Sequence, residues 1–139
     1  MNEQFLKNFK EIERLSVQGN EYVDQQEPLK GLQCFVEALE LLPDPKEQWE
    51  AGTWLYTALG DTFFQLGRYD EAIENLSFAL LCPEGSENPF ILLRLGQSLY
   101  EMEDFEQARE FLLTSYRLEG YDIFAGEDQK YFDFIQLGL

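Results

Sequence analysis

The chain is expected to fold as an all-α array of stacked antiparallel helix hairpins, and three observations carry that expectation. Apolar residues return at three- and four-residue steps through most segments, which is the helical period. A Leu-Gly…Ala pattern appears twice in the same register, as stacked units require. The prolines Pro28, Pro43, Pro45, Pro83 and Pro89 fall between apolar runs, where they punctuate elements without breaking them. With 139 residues, 45% of them hydrophobic and 15% aromatic, the chain is large enough for one domain with a substantial core. That apolar content argues against disorder.

Helices are expected over 3–24, 28–42, 46–66, 69–81, 88–102, 105–117 and 127–137. The first pair carries the weakest copy of the pattern: Gly19-Asn20-Glu21-Tyr22, then Gly31, Phe35, Ala38 and Pro43. In the second pair, Trp54, Leu55, Ala58, Leu59, Thr62, Phe63 and Leu66 form a wide apolar stripe. Gly60 inside that helix costs about 1 kcal/mol relative to Ala. The expected compensation is a partner helix crossing where a Cβ would clash, with small Ala72 approaching Gly60 and Phe63. Gly67 ends the helix. Asp70 and Glu71 then fall in the first turn of the next, where negative charge suits the exposed amides. Ala72, Ile73, Leu76, Ala79 and Leu80 supply its buried face. The third pair repeats the series as Leu95-Gly96, Leu99, Phe105, Ala108, Leu112 and Ser115, with Gly120 near its end. Gly60 and Gly96 are 36 residues apart (96 − 60), whereas Gly19 and Gly60 are 41 apart (60 − 19). The longer spacing implies an insertion around Asp44–Trp49 or an extended first helix in the second pair.

These residues resemble the tetratricopeptide repeat (TPR) family. Its small-aromatic-small-Pro series reads Gly19, Tyr22, Gly31, Phe35, Ala38, Pro43 in the first copy and Gly60, Phe63, Ala72, Leu76, Ala79, Pro83 in the second. The third reads Gly96, Leu99, Ala108, Leu112, Ser115. The resemblance covers about residues 10–120 and implies a right-handed superhelical array of three hairpins plus a C-terminal capping helix. It gives a single domain over 1–139, with repeats at about 10–45, 51–84 and 88–120 and the cap at 121–139. The last helix carries Tyr131, Phe132, Phe134, Ile135 and Leu137, more apolar surface than a solvated cap needs. Either it packs wholly on the third hairpin, or part of it forms a dimer or partner surface or occupies the groove.

In the family, the first helix of each hairpin lines a concave groove that holds a protein or peptide. Carried over by position, the groove residues here include Asn20 and Asp24; Trp54, Asp61 and Phe64; and Phe90, Gln97, Tyr100 and Glu101. Stiff aromatics are the anchors most often found at binding hot spots, and the carboxylates between them suit Lys or Arg. Each aromatic has core packing as its alternative, and each carboxylate an ordinary solvated face. Some TPR domains clamp a C-terminal carboxylate with Lys, Arg and Asn. Here Asn20 stands at one clamp position, but Asp61 and Gln97 occupy its equivalents, and Ser16, Thr57 and Leu93 replace the basic ones. No recognition of an acidic tail is expected.

The charge points the same way. There are 27 Asp and Glu against 10 Lys and Arg, a formal net charge of −17. No basic patch exists to neutralise phosphates or to meet an anionic membrane. The acidity either serves solubility alone or steers in a basic partner. The sequence has no histidine and two cysteines, Cys34 and Cys82, without a CxxC. No zinc, haem or other cofactor site is expected, and the cysteines are expected as buried free thiols. No catalytic set converges either, so an enzyme is not expected. Residues Met1–Lys7 are charged where a signal peptide needs an apolar stretch, and no run is long enough for a membrane span. A cytoplasmic location follows as the expectation. Size, acidity and the repeat are also similar to bacterial immunity-type proteins encoded beside secreted toxins, which would act by covering a cationic surface. The alternative is a self-associating scaffold, a homodimer using the last helix or the Trp49/Trp54 region.

Overall fold

The computed structural model describes residues 3–137. Seven α-helices occur among them: α1 Glu3–Asp24, α2 Pro28–Leu41, α3 Glu50–Gln65, α4 Tyr69–Leu81, α5 Pro89–Glu101, α6 Phe105–Glu119 and α7 Gln129–Gln136. Helices α1 and α2, α3 and α4, and α5 and α6 pair as antiparallel hairpins. The hairpins stack because α2 packs on α3 and α4 on α5. Along the array α1 meets α3 and α3 meets α5, so the first helices of the hairpins share one inner face.

The repeat is visible in the backbone hydrogen bonds. Each first helix ends with one residue in the left-handed region: Gln26 (φ 66), Gly67 (φ 75) and Glu103 (φ 63). The following amide reaches back to a carbonyl: Glu27 N to Tyr22 O at 2.8 Å, Arg68 N to Phe63 O at 2.9 Å, Asp104 N to Leu99 O at 2.9 Å. Such a closure satisfies carbonyls that the helix end leaves open. The steps of 41 (67 − 26) and 36 (103 − 67) match the steps between the glycines.

Each glycine of the pattern marks a helix crossing. An ideal Cβ on Gly19 would lie 2.5 Å from Phe35 Cε1, on Gly60 2.4 Å from Leu76 Cγ, and on Gly96 2.7 Å from Leu112 Cγ. The residue received at Gly60 is therefore Leu76, one turn beyond the expected Ala72, which is itself fully buried beside the crossing. The core runs continuously from Ile12, Phe35 and Leu55 through Leu76, Ile91 and Leu95 to Leu112, Phe124 and Ile135.

The expected boundaries of α2 and α5 shift by one residue, and α7 starts at Gln129, two residues after the expected 127; two further differences are more informative. Residues 46–66 are not one helix: Lys46–Gln48 make a 3-10 turn, Trp49 is extended (φ −107, ψ 139), and α3 starts at Glu50. The extra residues between the first two glycines are thus an insertion. Helix α6 runs to Glu119, two residues past the expected end, and continues as a 3-10 turn over Gly120–Phe124. Residues 1 and 2 of the expected domain and 138 and 139 of the expected cap lie outside the described residues.

Helix α7 packs against the third hairpin. Tyr131 and Ile135 are buried, Phe132 and Phe134 half-buried, and Leu137 faces outward. With the 3-10 turn it closes the last open side of α5. Nine consecutive residues, Ile91 to Leu99, are consequently buried. A helix enclosed on every side must bury whatever its sequence puts there, including Arg94 and Gln97.

Candidate functional site

The inner face has two ends of opposite character. At the third hairpin it is filled from within. Arg94 stands alone as a cation in the apolar run of α5, and its side chain is 8% exposed. Its Nε donates to Asp61 Oδ1 of α3 at 2.7 Å and its Nη1 to Gln97 Oε1 at 2.7 Å. Nη1 also ion-pairs with Glu127, from the turn before α7. Gln97 Nε2 completes the ring by donating to Glu127 Oε1 at 2.8 Å. The rings of Phe64 and Phe90 flank the guanidinium, with centroids 4.8 and 4.9 Å away, a favourable cation–π arrangement. The isolated charge is thus paired and hydrogen-bonded, which burial demands.

Beyond this ring, α7 covers the next turn of α5. The Tyr131 hydroxyl donates to Glu101 Oε2 at 3.0 Å, and Lys130 Nζ pairs with the same carboxylate at 3.0 Å. Burial and that carboxylate push the Tyr131 phenol well above its ordinary range. Tyr100 meets Tyr131 and Phe134 edge to face, at 5.4 and 5.0 Å between centroids.

At the first two hairpins the inner face is open. Phe5 and Phe9, one turn apart on α1, pack on each other with centroids 4.8 Å apart. Both pack on Trp49, each at 5.5 Å. Trp49 is fixed in turn by its Nε1, which donates to Pro43 O at 3.0 Å. Facing this cluster, Trp54 of α3 is 48% exposed. Phe5, Leu6, Phe9, Gln48, Trp49, Glu50, Ala51 and Trp54 enclose an open apolar groove of about 570 Å³. On the other side of Trp54 lies a smaller hollow of about 210 Å³, lined by Glu50, Thr53, Trp54, Pro83, Glu84 and Asn88.

The expected groove residues therefore divide. Trp54, Asn20 and Asp24 are exposed. Phe64 and Phe90 are half-buried around Arg94, and Asp61 is committed to that guanidinium. Gln97 is fully buried, and Tyr100 and Glu101 lie under α7. The third-hairpin positions do not line open space, because the C-terminal segment occupies the side of α5 they face. The sequence reasoning missed Arg94, Glu127, Phe5, Phe9, Glu50 and Glu84. Three of these left a signal: Arg94 as a lone arginine inside an apolar helix, and Phe5 and Phe9 as an aromatic pair at i, i+4.

Both cysteines are buried and free, and burial pushes both thiols upward, which makes them poor nucleophiles. Among the described residues no His, Cys, Asp and Glu group could hold a metal ion, no helix is long and apolar enough to cross a membrane, and no buried side-chain nitrogen or oxygen lacks a partner.

Comparison with known proteins adds the following. A tetratricopeptide repeat model matches residues 55–77 and 91–121. Among solved structures, the chain superposes on the first TPR of Spaghetti (RPAP3) bound to the HSP90 peptide SRMEEVD, with a TM-score of 0.71, 16% identity, and 92% and 90% of the two chains covered. The C-terminal TPR-containing domain of a Plasmodium falciparum FK506-binding protein gives 0.76 at 17% identity, covering 96% of this chain and 89% of that one. The Sgt2 TPR domain from Aspergillus fumigatus gives 0.68 at 18%, covering 91% and 76%. No curated protein sequence matches.

Proposed function

The chain is a tetratricopeptide repeat protein, and from that premise we propose that it is a protein-interaction module whose inner face at α1 and α3 docks a basic protein or peptide. The observation that carries this reading is the open aromatic groove in front of Trp54, on a molecule of net charge −17. Large exposed aromatics in a concavity are the usual anchors of recognition. The surrounding field draws in cations and repels anions.

The peptide held by the Spaghetti domain, SRMEEVD, carries three acidic residues. This chain is poorly suited to such a ligand. Its inner-face arginine is already neutralised by Asp61 and Glu127, and Thr57 and Leu93 stand where cations would be needed. A finer form of the proposal is neutralisation, in which the acidic module covers a cationic functional surface of its partner, as an immunity-type protein would. Two free buried thiols suit a reducing, cytoplasmic setting.

Calorimetric titration tests the reading with SRMEEVD and with arginine- and lysine-rich peptides of similar length. Cationic peptides are expected to bind, and to weaken steadily as salt screens the charges. Micromolar binding of SRMEEVD with no binding of cationic peptides would refute the basic partner.

A further inference from the structure

The two hollows beside Trp54 differ in chemistry and share one wall. The larger offers carbon surface from Phe9, Trp49 and Ala51. The smaller holds Glu50 and Glu84. Neither carboxylate forms an ion pair with any described residue. The other polar groups there are engaged: the Thr53 hydroxyl donates to Pro83 O at 2.9 Å, and Asn88 Oδ1 accepts from the amides of Phe90 and Ile91 at 2.9 and 3.2 Å. The charge available to a ligand in the smaller hollow is therefore purely negative. Beyond Leu6 stand two cations, Lys7 and Lys10, with one carboxylate, Glu3.

We propose that the N-terminal ends of α1 and α3 form a two-point docking site for an extended cationic segment of a partner protein. One bulky apolar side chain of that segment seats among Phe9, Trp49 and Trp54. One Lys or Arg lies along the Trp54 indole and meets Glu50 and Glu84. The proposal rests on the reading above and gives it a location, a ligand pattern and a direction.

Charge decides the occupant. A second copy of the chain would bring a further net charge of −17 to an already acidic hollow. A cation relieves the repulsion between Glu50 and Glu84 and gains the indole face as well. The direction follows from the lysines: the cationic end points toward the α4–α5 loop, away from Lys7 and Lys10. The spacing follows from the helix. Glu50 precedes Trp54 by one turn, about 6 Å along the axis. An extended chain rises about 3.3 Å per residue, so the cation falls about two residues from the apolar anchor. The Arg94 ring blocks any continuation of the same ligand along α5.

The test is a calorimetric titration against a set of short Gly/Ser peptides, each with one Leu, Phe or Trp and one Lys or Arg at varied offset. Binding is expected to need both groups and to peak near an offset of two. Trp54→Ala should weaken it at least about tenfold, and Glu50→Gln or Glu84→Gln about threefold each. Glu110→Gln, on exposed α6, should leave it unchanged. All of these positions are at the surface, and circular dichroism is the check that each variant folds. Cationic peptides that bind equally well to the three site variants overturn the two-point site but leave a basic partner standing. Failure of every cationic peptide to bind at low salt overturns both. Preference for Asp or Glu beside the apolar anchor overturns the charge argument.

Discussion

Gly85 shows how much a single missing atom can matter. A Cβ there would lie 1.9 Å from the carbonyl oxygen of Ala79, which is backbone and cannot rotate away. Gly85 is also buried and held by its own amide, which donates to Cys82 O at 3.0 Å. At Gly60 the obstacle is a side chain, Leu76, itself fully buried. At Gly67 there is open space, and only the φ of +75° penalises a side chain. A graded series follows. Gly85→Ala should lose about 3 kcal/mol or more and Gly60→Ala about 2 kcal/mol, while Gly67→Ala should lose about 1 kcal/mol from backbone strain alone. Urea midpoints at unchanged m-value measure the order, and equal losses at Gly85 and Gly67 would contradict the account.

At the scale of elements, α7 is too short to persist alone; its packing holds it. Its Asp128 cap, accepting from Lys130 N at 3.0 Å, fixes the start, and Tyr131 and Ile135 hold the buried face. The Tyr131 phenol is kept protonated by burial and by Glu101, with its folded pKa raised above the ordinary 10.0. For a group raised in the folded state, the contribution is fully present below the unfolded value and fades as pH climbs past it. Stability should therefore fall from about pH 10 upward. The buried thiols and Tyr56, also raised by burial, add to that slope. Tyr131→Phe should flatten the alkaline decline relative to the parent and lose about 1 kcal/mol near neutrality. Urea melts across pH 7 to 11 read both effects, and an unaltered alkaline slope would show that the phenol does not contribute.

For the whole molecule, the Arg94 ring ties three parts of the chain together: α3 through Asp61, α5 through Arg94 and Gln97, and the C-terminal segment through Glu127. Removing one member leaves a buried charge under-compensated. Glu127→Ala should lower stability by about 1–3 kcal/mol, less than a fully buried pair because Glu127 is 20% exposed. Hydrogen exchange should show the loss locally, with the Gly120–Phe124 turn and α7 deprotected while α1 and α2 keep their protection. Uniform loss across all helices would mean that the segment is not separately fastened. The same ring fills one end of the inner face, while at the other end aromatic surface remains open to solvent.

The repeat series, Leu59-Gly60 with Ala72 and Leu95-Gly96 with Ala108, was enough to specify the hairpins. Each is a local demand: a 3.6-residue stripe to bury and a gap for a crossing helix. The insertion around Asp44–Trp49 was legible as extra length, but not as a 3-10 turn with an extended Trp49, because tertiary packing of that indole sets the backbone there. Groove positions could be copied by register, and Trp54 came out exposed. Their neighbours Gln97, Tyr100 and Glu101 did not line open space, because a segment about 30 residues further along folds back over α5. Periodicity reports which side of a helix is apolar. It does not report what long-range chain closure will place against that side, and here closure decided which half of the inner face stayed open.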